Sequence, residues 1–275
     1  MKKIAVLFTC YNRIEKTRRC IDSLRAAAQS ADCEIHMFIT DGGSSDGTLE
    51  VFSDEKDVQF CINEGAFYSQ GMLSCMKLLD NRHSETYDYI MLVNDDVNFY
   101  EDFLVKMLEF SSKYDNKAVI AGATCDSTTE KTQTYGGIRY VKSNLSVKYE
   151  TVLINDSDKS CDTFNANCVL IPGNIYNESP RFDKHFIHGL GDFDYGMCLK
   201  GKIVTSDFFV GTCDNNSKSG TWMDTSLSVL ERIKKLNSVK GSPTKQWFYY
   251  LRKHFGVCAA VLHSISPYIR ILIGK

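Results

Sequence analysis

Residues 87–99 read YDYIMLVNDDVNF: five apolar side chains, Tyr89 to Val93, run directly into Asn94 and the adjacent carboxylates Asp95 and Asp96. Five apolar residues in a row fit a strand covered on both faces, as in a parallel sheet flanked by helices. Two like charges at its C-terminal end are costly unless a cation or a hydrogen-bond network offsets them. The carboxyl ends of such strands are also where open α/β sheets place their ligands. A capped strand-to-helix turn would use the same residue types, so the surrounding chain has to decide.

Upstream, strand and helix patterns alternate. KIAVLF reads as a buried strand, and a helix from about Ile14 keeps Ile14, Ile21, Leu24 and Ala28 on one face. EIHMFIT, QFCIN and YDYIMLV are further strands, separated by a short helix at TLEVF and a helix carrying Phe67, Met72, Leu73, Met76 and Leu79. EDFLVKMLEF continues as helix. Such alternation argues for a mainly parallel, helix-covered sheet. Downstream, AVIAGAT, IRYV, NLSVKYETVL (144–153) and NCVLIP predict shorter, partly antiparallel strands, with Gly136-Gly137 as a turn. A helix is expected near Asp192, IVTSDFFVG as a last strand, and a helical, basic segment from about Thr221.

At 275 residues, 43% hydrophobic and 24% charged, the composition is that of a globular protein with ample core. Eleven cysteines are scattered without a CxxC pair or Cys/His zinc spacing, which predicts reduced thiols and a cytoplasmic chain. The opening IAVLF is too short for a secretory signal. A net charge of −2 hides an asymmetry: residues 232–275 carry nine Lys/Arg and no Asp/Glu, so the preceding 231 stand at −11.

The second strand ends in TDGGSSDGT (40–48), where Asp41 can accept hydrogen bonds from a ribose or base and the glycines let backbone approach a ligand. Neither the GxGxxG spacing nor a GK[ST] is present, which weighs against dinucleotide binding and NTPase chemistry. Taken in order, TCYNR (9–13), ITDGGSSDGT (39–48), NEGAFYSQG (63–71) and NDDV (94–97) resemble the nucleotide-sugar-binding half of a family 2 glycosyltransferase of the GT-A fold. FNANCVLIP (164–172) and HGLGDFDYGMCLKGK (188–202) extend the resemblance to roughly residues 3–215.

The resemblance implies a GT-A architecture, a Rossmann-like mixed but mainly parallel sheet between helices. A glycosyltransferase unit would span residues 1–220, and a C-terminal helical, basic segment would span 221–275. It implies that Thr9, Tyr11, Asn12 and Arg13 border the nucleotide, that Asp41 holds its base or ribose, and that Asn63 and Gly65 shape the pocket. Asp96 would ligate Mg²⁺ or Mn²⁺ on the donor diphosphate, with Asp95 beside it and His188 as a further metal ligand. Asp192 would be the base that deprotonates the acceptor, with Asp194 in support. Gly191 and Cys198 stand where the family carries Glu and Arg.

The expected activity is therefore inverting, metal-dependent transfer of a hexose or deoxyhexose. The donor would be a UDP- or dTDP-linked sugar, and NDDV resembles the motif of rhamnosyltransferase-like members. The acceptor would be a glycan or a lipid-linked sugar in bacterial surface polysaccharide synthesis. A non-catalytic sugar-nucleotide or glycan-binding module on the same fold is the alternative. A nucleotidyltransferase would need a phosphate-cradling loop near the first strand, where only Arg13 stands. The tail WFYYLRKHFGVCAAVLHSISPYIRILIGK (247–275) lacks the roughly 20 apolar residues of a spanning helix. Its aromatic and basic content suits peripheral contact with an anionic membrane at the inner face, or packing on the domain or in a homo-oligomer. The acidic body speaks against nucleic acid.

Overall fold

The computed structural model describes residues 1–82, 85–142 and 147–275, and of Lys142 the backbone only. The first half is the alternation the pattern predicts: β1 (Lys2–Cys10), α1 (Ile14–Ser30), β2 (Cys33–Asp41), α2 (Thr48–Phe52), β3 (Val58–Ile62), α3 (Tyr68–Asp80) and β4 (Tyr89–Val93). There follow β5 (Asn98–Phe99), α4 (Phe103–Ser112), β6 (Ala118–Cys125), β7 (Gln133–Tyr135), β8 (Gly137–Lys142), β9 (Val147–Thr151), β10 (Ser160–Cys161), β11 (Thr163–Phe164) and β12 (Cys168–Pro172). The chain ends with α5 (Gly173–Glu178), α6 (Gly191–Cys198), β13 (Lys202–Thr212), α7 (Val229–Leu236), α8 (Thr244–Phe255) and α9 (Val257–Leu272).

The main sheet runs β10-β13-β6-β12-β4-β1-β2-β3, and β3, β2, β1 and β4 are all parallel. β12 enters antiparallel between β4 and β6, and β13 pairs parallel with β6. Both faces of the sheet are covered, as the unbroken apolar runs require. In β1, Ile4, Val6 and Phe8 pack under α1 and α4, with Ile21, Leu24, Phe103 and Met107. Ala5 and Leu7 pack on the other face under α3, α5 and α6, with Met72, Met76, Tyr176 and Tyr195.

A small sheet, β11-β8-β9, carries the antiparallel strands expected in the second half. The first residues of the strand expected from Asn144 lie outside the described residues. Gly136-Gly137 does not close a hairpin: β7 pairs with β6 while β8 joins the small sheet, so this step moves the chain between sheets. The short β5, β10 and β11 and helix α5 carry no periodicity of their own and were not expected. β5 exists because β13 pairs with it.

The tail is helical, and its aromatic residues are turned inward. Tyr250, Leu251 and Ala260 form a third buried cluster with Tyr140 and Phe186, against which Trp247, Phe248 and Tyr249 also pack. Trp247 stacks on Tyr250, and its indole N–H donates to the His263 carbonyl at 3.2 Å. Of the readings open for the tail's aromatic residues, packing on the domain describes Tyr250, and Trp247, Phe248 and Tyr249 are partly buried against the same cluster. Among the described residues, no helix is long and apolar enough to cross a membrane.

Candidate active site

The C-terminal ends of β1, β2, β3 and β4 lie side by side, because the parallel register matches Thr9 to Thr40, Cys10 to Asp41 and Asp41 to Ile62. The loops that leave these ends are tied to one another. Asp41 Oδ1 accepts from the Gly43 N–H at 2.9 Å, the Ser44 N–H at 2.7 Å and the Ser44 hydroxyl at 2.8 Å. Gly43 sits at φ +91°, a left-handed conformation that disfavours a side chain. Asn12, also left-handed at φ 49°, accepts from the Ser45 N–H at 2.8 Å, and its own N–H donates to Ser44 Oγ. Asp46 reaches across to cap α1, taking the Ile14 N–H at 2.9 Å. Gly65 bonds back to Gly42, and the Asn63 amide group donates to Ser74 Oγ at 3.0 Å. Thr9 abuts Gly71 at the start of α3, and Tyr11 is exposed over Gly42.

The acidic pair divides into two roles. Asp95 is 3% exposed and accepts from Arg13 Nη1 at 3.0 Å and from the Thr17 hydroxyl at 3.1 Å. Burial, against the pull of Arg13 and with the Asp96 charge adding to it, raises its pKa to about 6. Asp96 stays about one-third exposed. Its contacts are long, Arg13 Nη1 at 3.5 Å and Cys213 Sγ at 3.8 Å, so its oxygens remain accessible to a ligand. The network that tolerates two carboxylates at a strand end is therefore partly internal, with Arg13 spanning both. Thr17 is a partner not anticipated from sequence; the signal was a hydroxyl within the buried stripe of α1.

Asp192 lies in the first turn of α6, after Leu190 in the left-handed region at φ 67°. Its carboxylate accepts from its neighbour Phe193 N–H at 2.9 Å and from Ala166 N–H at 3.3 Å. Burial raises its pKa to about 6. Gly191, where the resembling family has Glu, is accounted for by packing: a Cβ there would lie 2.2 Å from Ser69 Oγ, against which α6 starts. Ser69 in turn donates a hydrogen bond to the His188 carbonyl.

The segment before β12 joins the two halves of the site. The Ala166 N–H meets Asp192, while the carbonyl of the next residue, Asn167, accepts from the Asn94 N–H at 3.2 Å. The Asn167 side chain donates to Cys213 Sγ, which touches Asp96. Two consecutive residues thus tie the candidate base to the acidic pair. Around them, Tyr68 Oη and His188 Nδ1 are buried and have no hydrogen-bond partner among the described residues. Such atoms at a strand-end cleft are suited to hydrogen-bond a ligand. His188 packs edge-on against Phe67, and burial lowers its pKa.

Asp194 does not share the site with Asp192. Two positions apart on a helix, the side chains diverge by roughly 200°, and Asp194 is 2% exposed beneath the tail. Lys253 Nζ lies 2.7 Å from its Oδ1 and 2.8 Å from its Oδ2, and His254 Nε2 is 2.7 Å from Oδ1. These partners, 59 and 60 residues downstream, could not be found by local pattern. Among the described residues, Asp194, Cys198 and His254 are the one group of three ligand types close enough to share a metal; Asp96 and His188 belong to no such group. Lys253 already supplies the cation at that cluster. Lys253→Met leaves a buried carboxylate with half its compensation and is expected to lower the unfolding free energy by about 3 kcal/mol, read by urea denaturation. Unchanged stability would show that His254 suffices alone.

Asp192 also affects stability in a pH-dependent way. Its folded pKa lies above the ordinary carboxylate value, so its contribution is full below about pH 4 and is lost as pH rises through 6. Asp192→Asn removes that loss at the expense of one acceptor oxygen, so its stability relative to wild type is expected to be higher at pH 8 than at pH 4 by on the order of 1–3 kcal/mol. Melting curves at the two pH values check this, and equal effects at both would refute it.

The family model for glycosyl transferase family 2 matches residues 5–166, more than half the chain. A comparison with curated proteins finds no match by sequence. Among solved structures, a mannosyltransferase from Pyrobaculum calidifontis in complex with GDP-Man and Mn²⁺ superposes with a TM-score of 0.59 at 11% identity, over 99% of this chain and 74% of that one. S. aureus TarS 1-349 superposes with a TM-score of 0.54 at 11% identity, over 98% and 81%. Its complex with UDP gives 0.53 at 14% identity, over 99% and 81%.

Proposed function

The chain belongs to glycosyl transferase family 2, and from that premise we propose that it transfers a hexose or deoxyhexose, with inversion, from a UDP- or dTDP-linked sugar. The acceptor is a glycan or lipid-linked sugar of bacterial surface polysaccharide synthesis, presented at the inner face of the membrane. The observation that carries this reading is the bridge at Ala166 and Asn167. It links a recessed carboxylate of raised pKa, through the backbone, to the end of β4 that leads into an accessible carboxylate.

The nucleotide is received by the loop ends at Thr9, Tyr11, Asn12 and Arg13, with Asp41, Asn63 and Gly65 lining the adjoining strand ends. All three hydrogen bonds to Asp41 go to Oδ1. Oδ2 can then accept from a ribose hydroxyl or a base N–H.

The residues present fit a hard divalent cation: Asp96 offers an accessible carboxylate at the strand end, and phosphate oxygens and water suit the remaining positions. Held there, Mg²⁺ or Mn²⁺ would neutralise the diphosphate and make it a better leaving group. His188, whose Nδ1 has no partner among the described residues, would contact a donor phosphate or the cation. The fold neighbours crystallised with GDP-Man and Mn²⁺ or with UDP support a nucleotide-sugar donor and a divalent metal.

Asp192 takes the proton of the acceptor hydroxyl as that oxygen attacks the anomeric carbon from the face opposite the nucleotide. Attack from that side inverts the configuration. The base works only when ionised, so transfer is expected to rise with pH through about 6 and level off above. Incubation with a panel of UDP-, dTDP- and GDP-sugars and Mn²⁺ tests the proposal. Stabilisation by one donor, with release of its nucleoside diphosphate, is expected. Stabilisation without turnover on any acceptor or water would favour a binding module.

A further inference from the structure

Helix α9 has two apolar faces, and among the described residues only one is covered. Ala260, Ser264 and Ile271 are buried against the rest of the protein. Val257, Val261, Leu262, Ile265, Ile269 and Leu272 are exposed by between 44% and 67%. At 100° per residue these six fall within one arc of about 140° along a helix about 24 Å long. Isolated exposed aliphatics are unremarkable, but a continuous stripe on one helix marks a contact surface.

Charge identifies what covers it. Arg252 stands in the last turn of α8, Arg270 in the last turn of α9, and Lys275 follows, so basic groups bracket the stripe at both ends. Residues 232–275 contain no acidic side chain. A second copy docked about a two-fold axis would set these cations against themselves with nothing in the segment to pair them. An anionic lipid surface accepts both features at once, aliphatics into the acyl boundary and cations on the headgroups.

We propose that the exposed face of α9 is a membrane-docking surface that seats the protein on anionic phospholipid. The contact is made by aliphatic side chains rather than by the tail's aromatic cluster, which is committed to the interior. α8, carrying Lys253 and His254, links this surface to the helix that bears Asp192. The inference rests on the proposed use of a membrane-presented acceptor only for its purpose, and its evidence is separate.

Co-sedimentation of the full chain with phosphatidylglycerol vesicles tests it, with phosphatidylcholine vesicles as control. Wild type is expected to bind the anionic vesicles, less as salt rises, and not the neutral ones. The double variant Ile265→Glu with Ile269→Glu, at two exposed positions, is expected to lose binding by about tenfold or more with its melting temperature and donor turnover unchanged. Equal vesicle binding by the variant overturns the proposal. So does a wild-type dimer in solution that the variant converts to monomer, since the stripe would then be an interface between copies. Vesicle binding without turnover of any donor supports the docking surface while refuting the enzymatic reading.

Discussion

Asp192→Asn is expected to fold, to bind the sugar nucleotide as wild type does, and to lose transfer by about 10²–10⁴-fold, the range a positioned general base contributes. The substitution keeps the shape of the side chain and one of two acceptor oxygens: Phe193 donates to Oδ1 and Ala166, at the longer distance of 3.3 Å, to Oδ2, and the amide oxygen can take only one of them. It removes the basicity at the expense of one hydrogen bond. Asp194→Asn provides the contrast. Its carboxylate faces Lys253 and His254 beneath the tail, so its loss should appear first as reduced stability, with the pH profile of the remaining activity still rising near 6. Steady-state kinetics with nucleotide-affinity measurements separates the two variants. A fully active Asp192→Asn with an inactive but stably folded Asp194→Asn would move the base to the other side of α6.

Asp96→Ala is expected to weaken donor binding by about two orders of magnitude, on the order of 3 kcal/mol, and EDTA should bring wild type to the same level. Asp96 is the accessible member of the pair and makes only long contacts within the protein. Asp95 is buried and committed to Arg13 and Thr17, so Asp95→Asn should leave donor affinity largely intact. Calorimetric titration of the nucleotide with and without Mn²⁺ distinguishes them. If Asp95→Asn abolished the metal-dependent increment and Asp96→Ala did not, the metal would belong to Asp95.

Much of this was legible in the sequence for a simple reason. Runs such as Ile4–Phe8 and Tyr89–Val93 are apolar at every position, which fits a strand covered on both faces, and their ends fix where the candidate site's loops fall. The loops then announce themselves through Asp, Gly, Asn and Ser. What escaped notice depends on contacts distant in sequence. The split between Asp95 and Asp96 is set by Thr17, about eighty residues upstream, and the fate of Asp194 by α8, about sixty downstream. Gly191 departs from the family pattern for a spatial reason: Ser69 occupies the space its side chain would fill. The tail shows the same limit in another form. α9 is apolar on two faces, and periodicity reports that a face exists without reporting which one is covered.

The central claim is that these strand ends form a nucleotide-sugar site that breaks the sugar–phosphate bond. Release of nucleoside diphosphate from a panel of sugar nucleotides in the presence of Mn²⁺, compared between wild type and Asp96→Ala, tests it most directly. The account predicts that wild type turns over at least one donor and that Asp96→Ala does not. Turnover that is equal in the two proteins, or absent with every donor and acceptor while the protein remains folded, would contradict it.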